Sequence, residues 1–402
     1  MLFIVPTSFF ADYGCHVRIL DQARAVGRLG YELQICTYSA GRPWPGLPLR
    51  RAPALPWRRG IAVGSSWRKL AFDVSLAGLC FAEARRFRPH LIHAFLHEGA
   101  LIGWPLSRWL GVPLVFDFQG SLTAEMVDHG FLSPRSPLYR PLRRLETFLD
   151  QRADLLLVNT QHAAALLTGT FGVAHQRVAL APDAADGDHF GPPEPADAPA
   201  LAALRRRLAL PEGMPLVAYL GLLAPYQGAD LLLHAAAHFL AQGGQAHFLI
   251  MGFPNVERYR AQAQQIGLEE AVTFCGAVPY DEAPLYLKLA QVAVAPKVSA
   301  TEGSGKALAY MAAGLPVVAF DTPVHREVLG PEGLYAPLGD AAALASRLAE
   351  ALADPAAARA RGLALREQAL QRFGPTCLAA RLQAAYARLL GPGDFGAAST
   401  AG

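Results

Sequence analysis

The 402-residue chain is short of charge: Asp, Glu, Lys and Arg make up 17% of it, and hydrophobic residues 52%. A disordered chain has the opposite balance, so disorder is excluded and there is material for two or three cores. Cysteine is scarce. Cys15, Cys36, Cys80, Cys275 and Cys377 are scattered, odd in number and never spaced CxxC. That argues against a disulfide framework or zinc knuckle and suits a reducing cytosol. No run of 18 apolar residues lacks a charge, and the best window, Leu70 to Ala82, is short and holds Asp73. A membrane span is therefore not expected. The opening Met1-Leu-Phe-Ile-Val-Pro has no basic n-region and reads as a buried strand, not a signal peptide. P-loop, GxSxG and dinucleotide GxGxxG motifs are missing, which weakens kinase, esterase and dehydrogenase readings.

With 36 basic and 33 acidic residues, the net charge of +3 gives no reason to expect nucleic acid. Its distribution is uneven. Residues 1–175 carry 19 Lys/Arg and 12 Asp/Glu, net +7; the rest carries 17 and 21, net −4. Arg42, Arg50, Arg51, Arg58, Arg59, Arg68 and Lys69 form one stretch without an acid, interleaved with Trp44, Trp57 and Trp67. Basic residues among aromatic anchors suit an anionic membrane surface or a lipid-phosphate acceptor; the plainer reading is a solvated loop.

Short apolar runs alternate with helical patterns. Leu2–Val5, Leu33–Thr37, Leu91–Ala94, Leu114–Phe118 and Leu155–Val158 come first. Val217–Leu220, His247–Met251, Val272–Cys275, Val292–Ala295 and Pro316–Phe320 follow a Pro- and Ala-rich stretch from Ala181 to Pro199. Unbroken apolar runs indicate parallel strands buried on both faces. The expectation is two doubly wound α/β domains. The first spans 1–175 and is completed by a helix at 376–390; the second spans 176–373; 391–402 is a flexible tail. Ligands of such sheets bind beyond the carboxyl ends of the strands.

Several clusters could carry chemistry there. After the strand ending at Pro296 come Lys297, Ser299, Thr301 and Glu302, then Gly303, Ser304 and Gly305 opening a helix with Lys306 in its first turn. Free N–H groups at a helix start, with glycines permitting close approach, suit phosphate. The alternative is a capped, packed helix. Gly14 and His16 lie in a turn after the first strand, which could likewise be structural. His93 and His97 are spaced like metal ligands on a helix, but His93 falls on a strand, so a histidine hydrogen-bonding substrate hydroxyls is the better reading. Asp117 and Glu125 resemble a glycosidase pair, but Asp117 lies within a strand, where a basic neighbour serves it as well.

The order of these pieces resembles retaining glycosyltransferases of family four. Glu302-Gly-Ser-Gly, then Met311-Ala-Ala-Gly314-Leu-Pro316-Val-Val, is similar to the family's donor signature. The Gly14–His16 turn, His97-Glu-Gly, Ala181-Pro-Asp, and Tyr219-Leu-Gly leading to Gly228-Ala-Asp230 agree in order. The resemblance covers nearly the whole chain. It implies a GT-B fold, two Rossmann-like domains facing a central cleft, and metal-independent transfer of a sugar from a nucleotide-sugar with retention, using no cofactor. It places the donor on the second domain and a glycan, lipid-linked or small-molecule acceptor on the first. It gives His97 and Glu302 to the transferred sugar, and Gly14, Gly303, Ser304 and Gly305 to the donor. The cysteines and the Arg42–Lys69 stretch together give an expected setting that is cytoplasmic or peripheral at the inner membrane face, and the richness in Ala and Arg suggests a GC-rich bacterial genome.

The chain departs from the family twice. Ala309 or Tyr310 stands where the second glutamate would meet the ribose, and Leu222 and Gln227 replace an Arg and a Lys that grip the diphosphate. Lys306 and Lys297, with Arg326 third, are the nearest substitutes. Lys306 joins His97 and Glu302 as a catalytic candidate; Lys297, Gln227 and Tyr310 join the donor-binding candidates. A catalytically silent homologue, or an epimerase or hydrolase on the same fold, are the rival expectations.

Overall fold

The computed structural model describes residues 1–12, 14–54, 69–299 and 301–391. The chain forms two α/β units: Met1–Asp183 with Thr301–Gly303 and the segment from Pro375 on, and Ala184–Ala300 with Ser304–Gly374.

The first unit is built on a seven-stranded sheet of β1 (Leu2–Val5), β2 (Gln34–Thr37), β3 (Leu49–Arg51), β4 (Ile92–Phe95), β5 (Leu114–Phe118), β6 (Leu155–Val158) and β7 (Val178–Leu180). The order is β3-β2-β1-β4-β5-β6-β7, and every pairing is parallel. β1, β2, β4, β5 and β6 are buried at every position, as their unbroken apolar runs require when helices cover both faces. Phe3 pairs with both Ile35 and His93, which sets His93 in the middle of the sheet.

The second unit's sheet comprises β8 (Leu216–Leu220), β9 (His247–Met251), β10 (Val272–Gly276), β11 (Val292–Ala295), β12 (Val317–Phe320) and β13 (Leu334–Ala336), in parallel order β10-β9-β8-β11-β12-β13. In each sheet the order reverses beside the first strand, the switch point of a doubly wound fold.

The boundary lies eight residues beyond the expected 175. β7 pairs with β6, and the buried Arg18 guanidinium donates to Ala181 O and Asp183, tying that segment to the first unit. The Pro- and Ala-rich stretch from Ala181 to Pro199 is also held: Ala185 N–H donates to Phe373 O, and Arg366 to Phe190 O. The helix Pro375–Tyr386 returns to the first unit, packing on α1 (Gly14–Arg28). Its Tyr386 hydroxyl lies 2.9 Å from His93 Nδ1. Among the described residues no helix is long and apolar enough to cross a membrane.

Candidate functional site

The sequence candidates divide between the units. Gly14, His97, Glu302 and Gly303 group with the first; Gln227, Lys297, Ser304, Gly305, Lys306 and Tyr310 with the second.

In the first unit β4 passes directly into the helix Leu96–Leu110. Leu96 makes the turn at φ +59°, a left-handed conformation that costs a side-chain-bearing residue about 1 kcal/mol. His97 follows, buried edge-on against Phe116 and Phe118. Its Nε2 lies 3.3 Å from Asp150 Oδ1 and 4.0 Å from Glu146 Oε1. Both acids come from the helix Tyr139–Asp150, where their i,i+4 spacing puts them on one buried face of an otherwise basic helix. Thr123 and Arg143 bond the other oxygen of Glu146. Burial opposes the imidazolium, but Asp150, helped by Glu146 and Glu125, outweighs it and raises the His97 pKa. The three ligand atoms lie within 4.8 Å of one another, close enough for a shared cation. Arg143 already pairs with Glu146, and protonation of His97 would balance Asp150.

Nearby, Glu302 Oε1 is 4.0 Å from His129 Nε2, and its stem packs on Gly120. Gly303 sits so close to the Asn159 amide that a Cβ would collide with it. A Cβ at Gly14 would meet nothing within 4 Å, so packing does not demand that glycine. His16 accepts the Ala11 N–H at Nδ1; burial, then Lys69, lowers its pKa to about 3 and keeps it neutral.

In the second unit the helix Gly305–Ala312 begins beside a histidine. His325 Nδ1 lies 2.8 Å from the Phe320 carbonyl and therefore carries the proton; Nε2 then accepts from the Ser304 hydroxyl at 3.2 Å. Burial lowers the His325 pKa to about 4, with Lys297 and Lys306 pushing the same way against the Phe320 bond. Lys306 Nζ donates to Gln227 Oε1 at 2.8 Å and rests 4.6 Å above the Tyr219 ring centroid. A Cβ at Gly221 would lie 2.7 Å from that amine. The lysine thus lies along the loop that follows β8. Gly228, at φ +75°, lets that loop pass against the Pro296 carbonyl, where any side chain would clash. Two lysines and a helix start collect positive potential here.

Other candidates are used structurally. Tyr310 is fully buried, and its hydroxyl accepts from Leu220 N–H at 2.7 Å; it braces the end of β8 from beneath, because this face of its helix is the core face. His93 is fully buried, bonded to Tyr386 and stacked on Phe95, with its pKa lowered to about 3 by burial and then Arg18; it is not among the residues grouped with His97 around a possible cation. Asp117 takes two bonds from Arg18, at 2.9 Å each, and another from Gln22, so it is no acid of a glycosidase pair. Arg326 is exposed and held by both oxygens of Asp321. Within the basic stretch, Arg42 pairs with Asp12 and stacks on Trp44, Arg51 donates to the carbonyls of Ala40 and Arg42, and Lys69 pairs with Glu98. These described cations hold the domain's own loops. Trp57, Arg58, Arg59, Trp67, Arg68 and the tail 392–402 lie outside the described residues.

The sequence reading passed over Glu146, Asp150, Asn159 and His325. The acidic pair had a signal, two carboxylates four residues apart on a basic helix. His325 had only its place in the first turn after a strand.

The two doubly wound parallel-sheet units define the GT-B class of fold. Sucrose-phosphate synthase from Thermosynechococcus elongatus has it with a TM-score of 0.80 at 23% identity, over 96% of this chain and 98% of that one. Anabaena HepE, solved with UDP-glucose, has it with a TM-score of 0.76 at 18% identity, over 96% and 99%. Residues 13–184 match the glycosyl transferase 4-like domain and residues 202–368 the glycosyl transferases group 1 family. The chain is 30% identical to the 2-deoxystreptamine glucosyltransferase of Streptomyces kanamyceticus, over 93% of this chain and 99% of the relative. It is 29% identical to the D-inositol 3-phosphate glycosyltransferase of Xylanimonas cellulosilytica, over 93% and 91%. The chain belongs to the glycosyl transferases group 1 family.

Proposed function

We propose that this glycosyltransferase moves a sugar from a nucleoside diphosphate sugar to a hydroxyl acceptor with retention, and that Lys306 holds the donor's diphosphate. The carrying observation is the Lys306 amine on Gln227 and over Gly221, in the loop after β8. There the resemblance places the family's diphosphate-binding cations, which this chain lacks. Breaking the glycosidic bond leaves charge on the diphosphate, and a fixed cation aimed at that charge lowers the barrier. Lys297 and the start of the helix Gly305–Ala312 add to the same potential. Glu302 and His97 are the residues this reading gives to the transferred sugar. The UDP complexes of HepE support a nucleotide-sugar donor by analogy of fold.

The first test screens UDP, GDP, ADP, CDP and TDP and their sugars by thermal shift. A ligand at about 100 times its Kd adds about 2.7 kcal/mol and moves the melting point by a few degrees. Lys306→Ala should abolish that shift and lower transfer at least about a hundredfold, the usual scale for losing one preorganised donor, without unfolding the chain. Near-normal turnover of the variant would sink the assignment. The substitution of Leu222 and Gln227 for the two cations favours one second reading, a silent homologue; it gains if no nucleotide shifts the wild type and Glu302→Ala changes nothing.

A further inference from the structure

The helix Lys69–Phe87 (here α2) and the helix Leu96–Leu110 (α3) cover one side of the first unit's sheet. Their inner faces are ordinary core: Phe72, Leu76, Cys80 and Ala84 on α2, Ile102 and Leu106 on α3. Their outer faces are unlike a solvated surface. On α2, Leu70, Val74 and Phe81 fall within one narrow strip, since they are four and seven residues apart. Val74 is 74% exposed. On α3, Leu101 and Trp109 are exposed as well, Trp109 by 51%. The strips meet: the Phe81 and Trp109 rings are 5.6 Å apart.

The charges on this side have one sign. Among the described residues from 69 to 111, no exposed residue is acidic. Asp73 and Glu98 are drawn inward by Tyr38 and Lys69, and Glu83 lies beside Arg50. The exposed charged residues are Arg85, Arg86, Arg88 and Arg108. Arg108 pairs with Asp154 from outside this segment, and Arg85 stacks on Trp109.

We infer that the outer face of α2 and α3 is a docking surface for an anionic lipid bilayer. Exposed apolar side chains beside exposed arginines, with Arg85 on Trp109, match the boundary between acyl chains and negatively charged headgroups. Contiguous exposed apolar surface of this kind marks an interaction site. A second copy of the chain fits less well, because a two-fold contact would bring the Arg85 and Arg86 of both copies together. The inference is independent of the donor assignment and goes beyond it.

The full chain is sedimented with vesicles of phosphatidylcholine alone and of phosphatidylcholine mixed with phosphatidylglycerol, at low and high salt. Binding to the mixed vesicles only, weakened by salt, is expected. Phe81→Glu with Trp109→Glu should lower that binding at least about tenfold. So should Arg85→Glu with Arg86→Glu, since each cation near an anionic surface is worth about fivefold; this second pair alters only exposed side chains and guards against a misfolded first variant. No sedimentation with anionic vesicles overturns the inference. So does binding that both variants leave unchanged, or a wild-type dimer in light scattering that the variants dissociate while vesicle binding persists.

Discussion

His97 and His325 occupy comparable places, each buried in a helix that follows a strand, one in each unit, yet their pKa values are pushed in opposite directions. Carboxylates surround His97 and raise its pKa against the effect of burial. Lysines and a carbonyl surround His325 and hold it neutral, with one nitrogen committed to Phe320 and the other to Ser304. Residue type and burial are the same; the sign of the neighbours decides. A fixed imidazolium can only attract anions or donate. A neutral imidazole fixed in one tautomer can orient a hydroxyl, as His325 does with Ser304.

The largest expected effect comes from removing the charge that makes His97 different. Asp150→Asn leaves an imidazole facing a buried Glu146, and breaking a buried pair in this way costs about 3–5 kcal/mol. Urea unfolding of the variant measures it. A loss below about 1 kcal/mol would mean that Asp150 does not hold the proton on His97.

The pH dependence separates the two histidines next. The raised His97 pKa gives stability that is complete below the unfolded value of about 6.5 and is lost as pH rises through the folded value. His325, His16 and His93 behave in the opposite sense. Their pKa values fall to about 4, 3 and 3, so their stability is present above about 6.5 and is lost as pH falls toward 4, at about 1.4 kcal/mol per pH unit for each. Melting points should therefore fall on both sides of about pH 6.5, and Asp150→Asn should flatten the alkaline side alone. An unchanged alkaline slope in that variant would break the comparison.

The smallest effect is at Ser304. Ser304→Ala leaves His325 Nε2 buried without its donor, a cost of about 1–2 kcal/mol, and should leave the alkaline slope as it is. A chemical-denaturation midpoint equal to that of the wild type would show that the hydroxyl does not bond the ring.

The architecture could be read from the sequence because parallel strands buried on both faces leave unbroken apolar runs. β3, β7 and β13 escaped, since three residues on a sheet edge are too few to show a period. The site was readable where it is local. Glu302 to Lys306 stand in one run of sequence, and the glycines at 221 and 228 mark close backbone approaches. It was not readable where partners come from distant elements. Nothing beside His97 in the sequence announces Asp150, and nothing beside Ser304 announces His325. Tyr310 shows the converse: a position matched by motif is, in three dimensions, the inner face of a helix.

The helix Pro375–Tyr386 has a consequence for biosynthesis. The first unit's sheet leaves the ribosome early, but its His93 and Tyr31 wait for Tyr386, which arrives only after the whole second unit has been translated. The half that emerges first is completed last. Until then it presents an uncovered apolar face beside α1, and a nascent chain stalled anywhere before Pro375 would hand that face to chaperones rather than to its own final helix.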